Sequence, residues 1–303
     1  MCGIIGLHLK NPDLQPRLGE LLSQMLEAMT TRGPDSAGIA VYSDPAPAGA
    51  SGVTGLRYSL RSDQPHDWEL LGKRLAAETA AEVRVRQLGP DLAVLSSPAD
   101  EALVLAAVAQ AAPQVSVAGW GQAMVLVKDV GAPADICARY GIPGWSGYQG
   151  VGHTRMATES AVTTAHSHPF APAADLALVH NGSFSNYATI RGRLARAGVT
   201  CDTDNDSEVA ARLIASRMAA GDDLEDALKT VLKEMDGFFT LLVTTRNQFA
   251  VVRDSFACKP AVIAETSDYV AMASEYHALA GLPGITGAEV FEPMPEEIHL
   301  WNR

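Results

Sequence analysis

The amino-acid sequence predicts an α+β protein with a smaller α+β unit set into it. Three observations carry that expectation. Apolar runs of strand length open the chain and return as a meander towards its end. Between them lie segments whose apolar residues recur at helical spacing. From Gly55 to about Gly147, strand and helix patterns alternate in short units of their own, as in a small two-layer α+β fold.

Taken in order, residues 2–9 read as a buried strand, closed by the turn-forming Asn11-Pro12-Asp13. Leu18, Leu21, Leu22, Met25, Leu26 and Met29 then follow helical spacing. Arg32-Gly33-Pro34-Asp35-Ser36-Ala37-Gly38 reads as a loop and 39–42 as a strand. The stretch 49–52, approached through Gly, Ala, Ser and Pro, reads as a linker. Within 55–147 the expected strands are 56–60, 83–86, 92–95 and 122–127, and the expected helices 68–81, 101–112 and 132–140. Beyond it, 151–158 is strand and loop, and 176–180 is a strand expected to stop at Asn181-Gly182. Helices are expected at 187–197, 207–220 and 224–235, the second with Asp206 as N-cap and Glu208 in its first turn. Apolar strands at 238–244, 249–252, 261–263 and 270–273 form the closing meander.

Composition narrows the function. The 303 residues suffice for one large domain or one domain with a substantial insertion. A net charge of −12 with no run of Lys or Arg argues against nucleic acid or an anionic membrane as partner, since both need a basic face. Cys2, Cys137, Cys201 and Cys258 lie far apart and none forms a CxxC pair, so neither a disulfide framework nor a cysteine-rich zinc site is expected. The opening Met1-Cys2-Gly3-Ile4-Ile5-Gly6 lacks the basic leader and apolar core of a signal peptide, and no window approaches ~20 apolar residues. A cytoplasmic protein is expected. No P-loop and no GxGxxG occur, so no nucleotide cofactor is expected on this chain. His153, His166, His168 and His180 match no zinc-ligand spacing and read as core or loop histidines.

Cys2 is the sharpest chemical feature. Aminopeptidases remove an initiator Met before a small residue, which would leave a thiol and a free α-amine on one residue. That amine titrates near ~7.7–8.0, so part of it is neutral at physiological pH and able to take the thiol proton. The plainer reading of Cys2 is a small buried cysteine on a first strand.

The company it keeps points elsewhere. Met1-Cys2-Gly3-Ile4-Ile5-Gly6, Arg32-Gly33-Pro34-Asp35-Ser36-Ala37-Gly38, Gly152-His153-Thr154-Arg155-Met156-Ala157-Thr158 and His180-Asn181-Gly182 occur in that order. Together they resemble the class II glutamine amidotransferases, the N-terminal-nucleophile family of glucosamine-phosphate synthase and glutamate synthase. The resemblance covers residues 1–43 and 151 to about 280. It implies a four-layer αββα N-terminal-nucleophile hydrolase sandwich over 1–303, interrupted by 55–147, where that family has a much shorter connection.

The resemblance also implies roles. Cys2 is similar to the nucleophile that attacks the glutamine carboxamide. Asn181 (side-chain NH2) and Gly182 (backbone N–H) resemble the oxyanion hole; Asn-Gly otherwise reads as a hairpin turn. Arg155 resembles the clamp on the substrate α-carboxylate, with Thr158 adding a hydroxyl, although an ion pair is the simpler use of an arginine. Asp206 resembles the acid that takes the α-ammonium, with a plain N-cap and the nearby Asp204 as competitors. Arg32 resembles the arginine that orients the N-terminal cysteine. Met156 stands where many members have Trp, and Glu159-Ser160 replaces a His-Gly pair.

The insertion, with Met156-Ala157-Thr158-Glu159-Ser160-Ala161 and Arg253-Asp254-Ser255-Phe256-Ala257-Cys258-Lys259-Pro260, is most similar to the separate amidotransferase subunits of N-methylglutamate synthase and related glutamate-synthase-like complexes. That implies partner subunits carrying the flavin and iron–sulfur parts. The chain ends at Arg303, soon after Ala273-Ser274-Glu275-Tyr276, so the ammonia acceptor is expected on another chain. L-glutamine hydrolysis through a Cys2 thioester is the expected activity. An N-terminal-nucleophile amidase with another amide substrate, and a non-catalytic assembly or regulatory subunit, are the two other readings.

Overall fold

The computed structural model describes residues 2–44, 55–156 and 162–303. The 49–52 linker, Thr158 and the Glu159-Ser160 departure lie outside the described residues, as does Met1.

The chain opens with β1 (Gly3–Leu9), α1 (Leu18–Ala28) and β2 (Ser36–Tyr42). Then come β3 (Leu56–Ser62), α2 (Trp68–Thr79), β4 (Arg84–Gln87), β5 (Leu92–Ser97), α3 (Glu101–Ala111) and β6 (Val115–Gly121). Next are β7 (Met124–Val130), α4 (Pro133–Arg139), β8 (Gln149–Arg155), β9 (Phe170–Ala173) and β10 (Leu176–Phe184). Helices α5 (Tyr187–Arg196), α6 (Asp206–Ala219) and α7 (Leu224–Glu234) precede β11 (Gly237–Thr244), β12 (Gln248–Arg253), β13 (Val262–Glu265) and β14 (Tyr269–Ala273). Two short strands, β15 (Glu289–Phe291) and β16 (Ile298–Asn302), complete the series.

Two of the sheets stack face to face. One has the order β15-β13-β14-β1-β8-β2-β7 and the other β16-β12-β11-β10-β9. Strand alternation sorts their side chains. Ile4 on β1, Val151 on β8, Val179 on β10 and Leu242 on β11 meet in the core between the sheets. The alternate residues Ile5 and Leu7 pack outward onto α1. Leu178 and Leu241 pack outward onto α6 and α7. Helix layer, sheet, sheet, helix layer is the αββα order expected from the sequence.

Gly6 shows how close the sheets come, because a Cβ there would fall 2.4 Å from Leu242. The helical stripe on α1 is buried along its length, with Leu22 and Leu26 fully covered. Truncating Leu22 to Ala is expected to cost about 2–5 kcal/mol.

The third sheet has the order β4-β5-β3-β6 and carries its own core, in which α2 and α3 cover Tyr58, Leu60 and Leu95. Here the expected boundaries need correcting. The separate sheet spans 56–121, whereas β7 pairs along its length with β2 in the main sheet. Likewise Ile136 and Cys137 of α4 pack into the α1 core. The apolar run of β7 is buried by the sandwich and not by the smaller unit.

Asp175 joins the two parts. Its carboxylate accepts the backbone N–H groups of Gln122, Ala123 and Met124, each at 2.9 Å, and so caps the β6–β7 turn.

Two local expectations also change. Strand β10 does not stop at Asn181-Gly182 but continues to Phe184, with Asn181 opposite Thr240 and Gly182 opposite Phe239. Helix α6 is capped by Asn205, whose side chain accepts from the Ser207 N–H at 2.9 Å. Asp206 is the first helical residue, and its carboxylate is engaged elsewhere.

Candidate active site

Alternation brings the predicted residues to one end of the gap between the sheets. Cys2 lies two residues before Ile4, Arg155 four after Val151, and Asn181 two after Val179, so all three share the inner faces of their strands. Gly3 pairs with Thr154, which sets Cys2 against Arg155 at the end of the ladder. The His153 Nε2–H donates to the His180 carbonyl at 3.0 Å, tying β8 to β10 one residue before Asn181.

Cys2 is held through its backbone. The buried Arg32, just beyond α1, donates from Nε to the Cys2 carbonyl at 3.0 Å and from Nη1 to Glu275 Oε1 at 2.6 Å. Next to it, the Ile4 N–H donates to Ser274 Oγ and the Ser274 N–H to the Ile4 carbonyl, both at 2.9 Å. The sequence alone gives Ser274 and Glu275 no role. Their signal was position, immediately after the strand that pairs with β1.

The Arg-Gly-Pro-Asp loop lies directly on Arg155. A Cβ at Gly33 would fall 2.5 Å from the Arg155 backbone, so only glycine permits that approach. The Asp35 N–H then donates to the Arg155 carbonyl at 3.1 Å. The loop is shorter than expected, because Ser36 already pairs with Arg155 in β2. Arg155 itself is buried.

Asn181 is buried, and its side-chain Nδ2 has no hydrogen-bond partner among the described residues. Leaving such a donor unsatisfied costs about 1–3 kcal/mol. Gly182 has φ +155°, and a Cβ there would fall 2.1 Å from the Phe238 carbonyl. The pair is therefore not a hairpin turn. It is an extended segment whose glycine lets the backbone turn its amide without a clash.

Asp206 sits at the first turn of α6, where the helix dipole favours a negative charge. Its Oδ2 accepts the Phe184 N–H at 2.9 Å, and Oδ1 accepts the Ser207 hydroxyl at 3.2 Å. His180 Nδ1 is 2.7 Å from Ser207 Oγ and 3.9 Å from Asp206 Oδ1. Asp204, its sequence neighbour, faces outward and pairs with His166 at 2.6 Å. Met156 is partly exposed at the end of β8.

Three of the histidines form a buried, neutral column behind the site. His168 stacks on His153 with centroids 4.0 Å apart and accepts the His180 N–H at 3.2 Å. Burial pushes His153 down to about 3, and His168 and His180 also below the usual histidine range. No group of three or more His, Cys, Asp or Glu among the described residues is placed to hold a metal ion. Nor is any described helix long and apolar enough to cross a membrane.

A cysteine at a strand's start, an unsatisfied amide donor and a buried arginine at one end of an αββα gap suit acyl transfer on an amide. Residues 153–281 match the model of the glutamine amidotransferase domain. Over its full length the chain is 47% identical to the glutamine amidotransferase-like protein GlxB of Rhizobium meliloti, covering 98% of that protein. The chain belongs to the glutamine amidotransferase family.

A putative glutamine amidotransferase of Methanothermobacter thermautotrophicus is 32% identical, with both chains fully covered. Among solved structures, the fold matches a glutamine phosphoribosylpyrophosphate amidotransferase from B. subtilis, solved with ADP and GMP, at a TM-score of 0.63 and 18% identity. That match covers 99% of this amidotransferase and 47% of the other chain, so this chain spans about half the solved protein. The shared part shows that the two proteins have the same fold.

Proposed function

We propose that this chain is a glutaminase whose nucleophile is Cys2, freed at its α-amine by removal of Met1. The observation that carries the reading is the buried Asn181 Nδ2, without a hydrogen-bond partner among the described residues, on the same inner face as Cys2.

In this reading the substrate α-carboxylate meets Arg155 (with the Thr158 hydroxyl) and its α-ammonium meets Asp206. The Cys2 thiol gives its proton to the α-amine, and the sulfur attacks the side-chain carbonyl carbon. Asn181 Nδ2 and the Gly182 N–H stabilise the resulting oxyanion; one such donor is typically worth ~3 kcal/mol of barrier. The α-ammonium returns the proton to the leaving nitrogen, ammonia departs, and a γ-glutamyl thioester remains. Water, deprotonated by the same amine, cleaves the thioester to glutamate and regenerates the thiol. Arg32 and Glu275 position Cys2 without touching the substrate.

The ammonia goes to a separate synthase subunit, of the N-methylglutamate synthase or glutamate-synthase-like kind, which carries the flavin and iron–sulfur groups. Support comes from a hollow beside Ser183, the residue after Gly182, walled by the exposed Phe238 and Phe256. Exposed aromatics beside the proposed oxyanion hole suit a docking face for a partner that takes up the product.

The test measures glutamate release from L-glutamine and from analogues lacking the α-carboxylate or the α-ammonium, using protein whose intact mass shows loss of Met1. Activity on glutamine with loss on both analogues is expected. Equal rates on all three would mean an amidase of different specificity.

A further inference from the structure

Three edge strands meet where the smaller sheet closes against the sandwich. Strand β7 ends the seven-stranded sheet, β9 the five-stranded and β6 the four-stranded. Between them, and against the start of α6, is a cavity of about 340 Å³. That volume suits a small molecule. None of Cys2, Arg32, Arg155, Asn181 and Asp206 lines it, so it is distinct from the candidate active site.

Its chemistry is one-sided. Lys128 of β7 points into it from the inner face of the main sheet, buried. Its ammonium donates to the carbonyls of Ser167 at 2.9 Å and Ala165 at 3.4 Å and lies 4.9 Å from the Phe170 ring centroid. An ammonium has three protons, and the two carbonyls take two. No described carboxylate lies within ion-pair distance of it; burial pushes it down to about 8, against the upward pull of the more distant Glu208 carboxylate. Trp120 and Arg61 also line the cavity, and the buried Trp120 Nε1 and Arg61 Nε have no partner among the described residues.

The acids on the same walls are already occupied. Glu208 accepts the N–H groups of Asp202 and Thr203, the Thr203 hydroxyl and Arg212 Nε. Asp202 accepts from Arg212 at 2.6 Å. Asp63 is exposed at the rim. The unspent capacity is therefore donor, beside aromatic and aliphatic walls such as Phe170 and Val117. A buried cation with no carboxylate at ion-pair distance is costly, and an incoming anion relieves it.

We infer that the cavity between β6, β7 and β9 binds a small organic carboxylate with a flat apolar body, with Lys128 as its principal counter-charge and Trp120 Nε1–H as a second donor. The ligand bridges the smaller sheet and the sandwich, and it acts on the segment carrying Ala165 and Ser167, which runs into His168 behind the active site.

Isothermal titration of the full chain with benzoate, and with benzamide as its uncharged isostere, tests this directly. The readout does not depend on glutaminase activity. One-to-one benzoate binding at least 10-fold tighter than benzamide is expected. Lys128→Met lowers the benzoate affinity at least 10-fold, and Trp120→Phe lowers it at least threefold. Cys2→Ala leaves it unchanged. The inference is overturned if benzoate and the smaller pyruvate both fail to bind saturably, if benzamide binds as well as benzoate, or if neither the Lys128 nor the Trp120 variant weakens binding. Should Lys128→Met fold poorly, Trp120→Phe keeps the cavity's shape and decides alone.

Discussion

The guanidinium of Arg32 donates from Nε to the carbonyl of Cys2 at 3.0 Å, and so sets the position of the residue immediately before β1. The same side chain reaches Glu275, beyond the other neighbour of β1, so the start of the strand is clamped from two sides.

Arg32→Lys is expected to lower glutaminase kcat about 100-fold, the scale on which a displacement of roughly 1 Å acts. A lysine has no fork with which to hold both partners. Glu275 is only partly exposed and Arg32 is buried, so a modest fall in melting temperature accompanies the substitution. Steady-state kinetics beside thermal unfolding separates the two effects; a wild-type kcat in the lysine variant would remove Arg32 from the account.

Asn181→Ala is expected to reduce kcat by about 100- to 1,000-fold while KM changes little, since an oxyanion donor acts in the transition state. The variant removes an unsatisfied buried donor, so its stability should equal or exceed that of the wild type. A KM effect alone would place Asn181 in ground-state binding.

How much of this was legible beforehand differs by element. The stripe on α1 and the apolar β1 and β11 were plain, because burial on one or both faces writes a period into the sequence. Strand β6 carries Gly119 and Gly121, and β9 carries Pro172; both are edge strands, β6 paired with the distant β3 and β9 only with the adjacent β10 through an irregular register. β7 was legible as a strand but not as a member of the main sheet, since pairing with β2 is a tertiary fact. Asn181-Gly182 illustrates the same limit. Its local chemistry says turn, and the strand partner β11 overrides it. Glu275 carried no sign of its partner Arg32, because a salt bridge across 243 positions leaves no local trace.

The buried histidines make stability fall with acidity. The native state holds His153 neutral down to about pH 3, while the unfolded chain protonates near 6.5. Its contribution is therefore constant above about pH 6.5 and is lost as pH falls towards 3. Between pH 7.5 and pH 5 this amounts to about 2 kcal/mol. Urea unfolding of His153→Gln at the two pH values should show a loss smaller than that of the wild type by about that much. Equal losses would mean His153 takes up its proton in the native state.

Asp175→Ala removes the acceptor of three backbone N–H groups at the β6–β7 turn. Destabilisation by about 3 kcal/mol is expected, since hydrogen bonds to a charged group contribute about 1.5–3 kcal/mol each and are not additive. Denaturant titration measures it. A change under about 0.5 kcal/mol, the range of ordinary surface substitutions, would show that the turn holds without Asp175.

The central claim is that the Cys2 sulfur carries the acyl group. Its most direct measurement compares glutamate release by the wild type and by Cys2→Ala, both with Met1 removed and both shown by thermal unfolding to be folded. The account predicts turnover by the wild type and none detectable in the alanine variant. Glutamine hydrolysis by the alanine variant at the wild-type rate would contradict it.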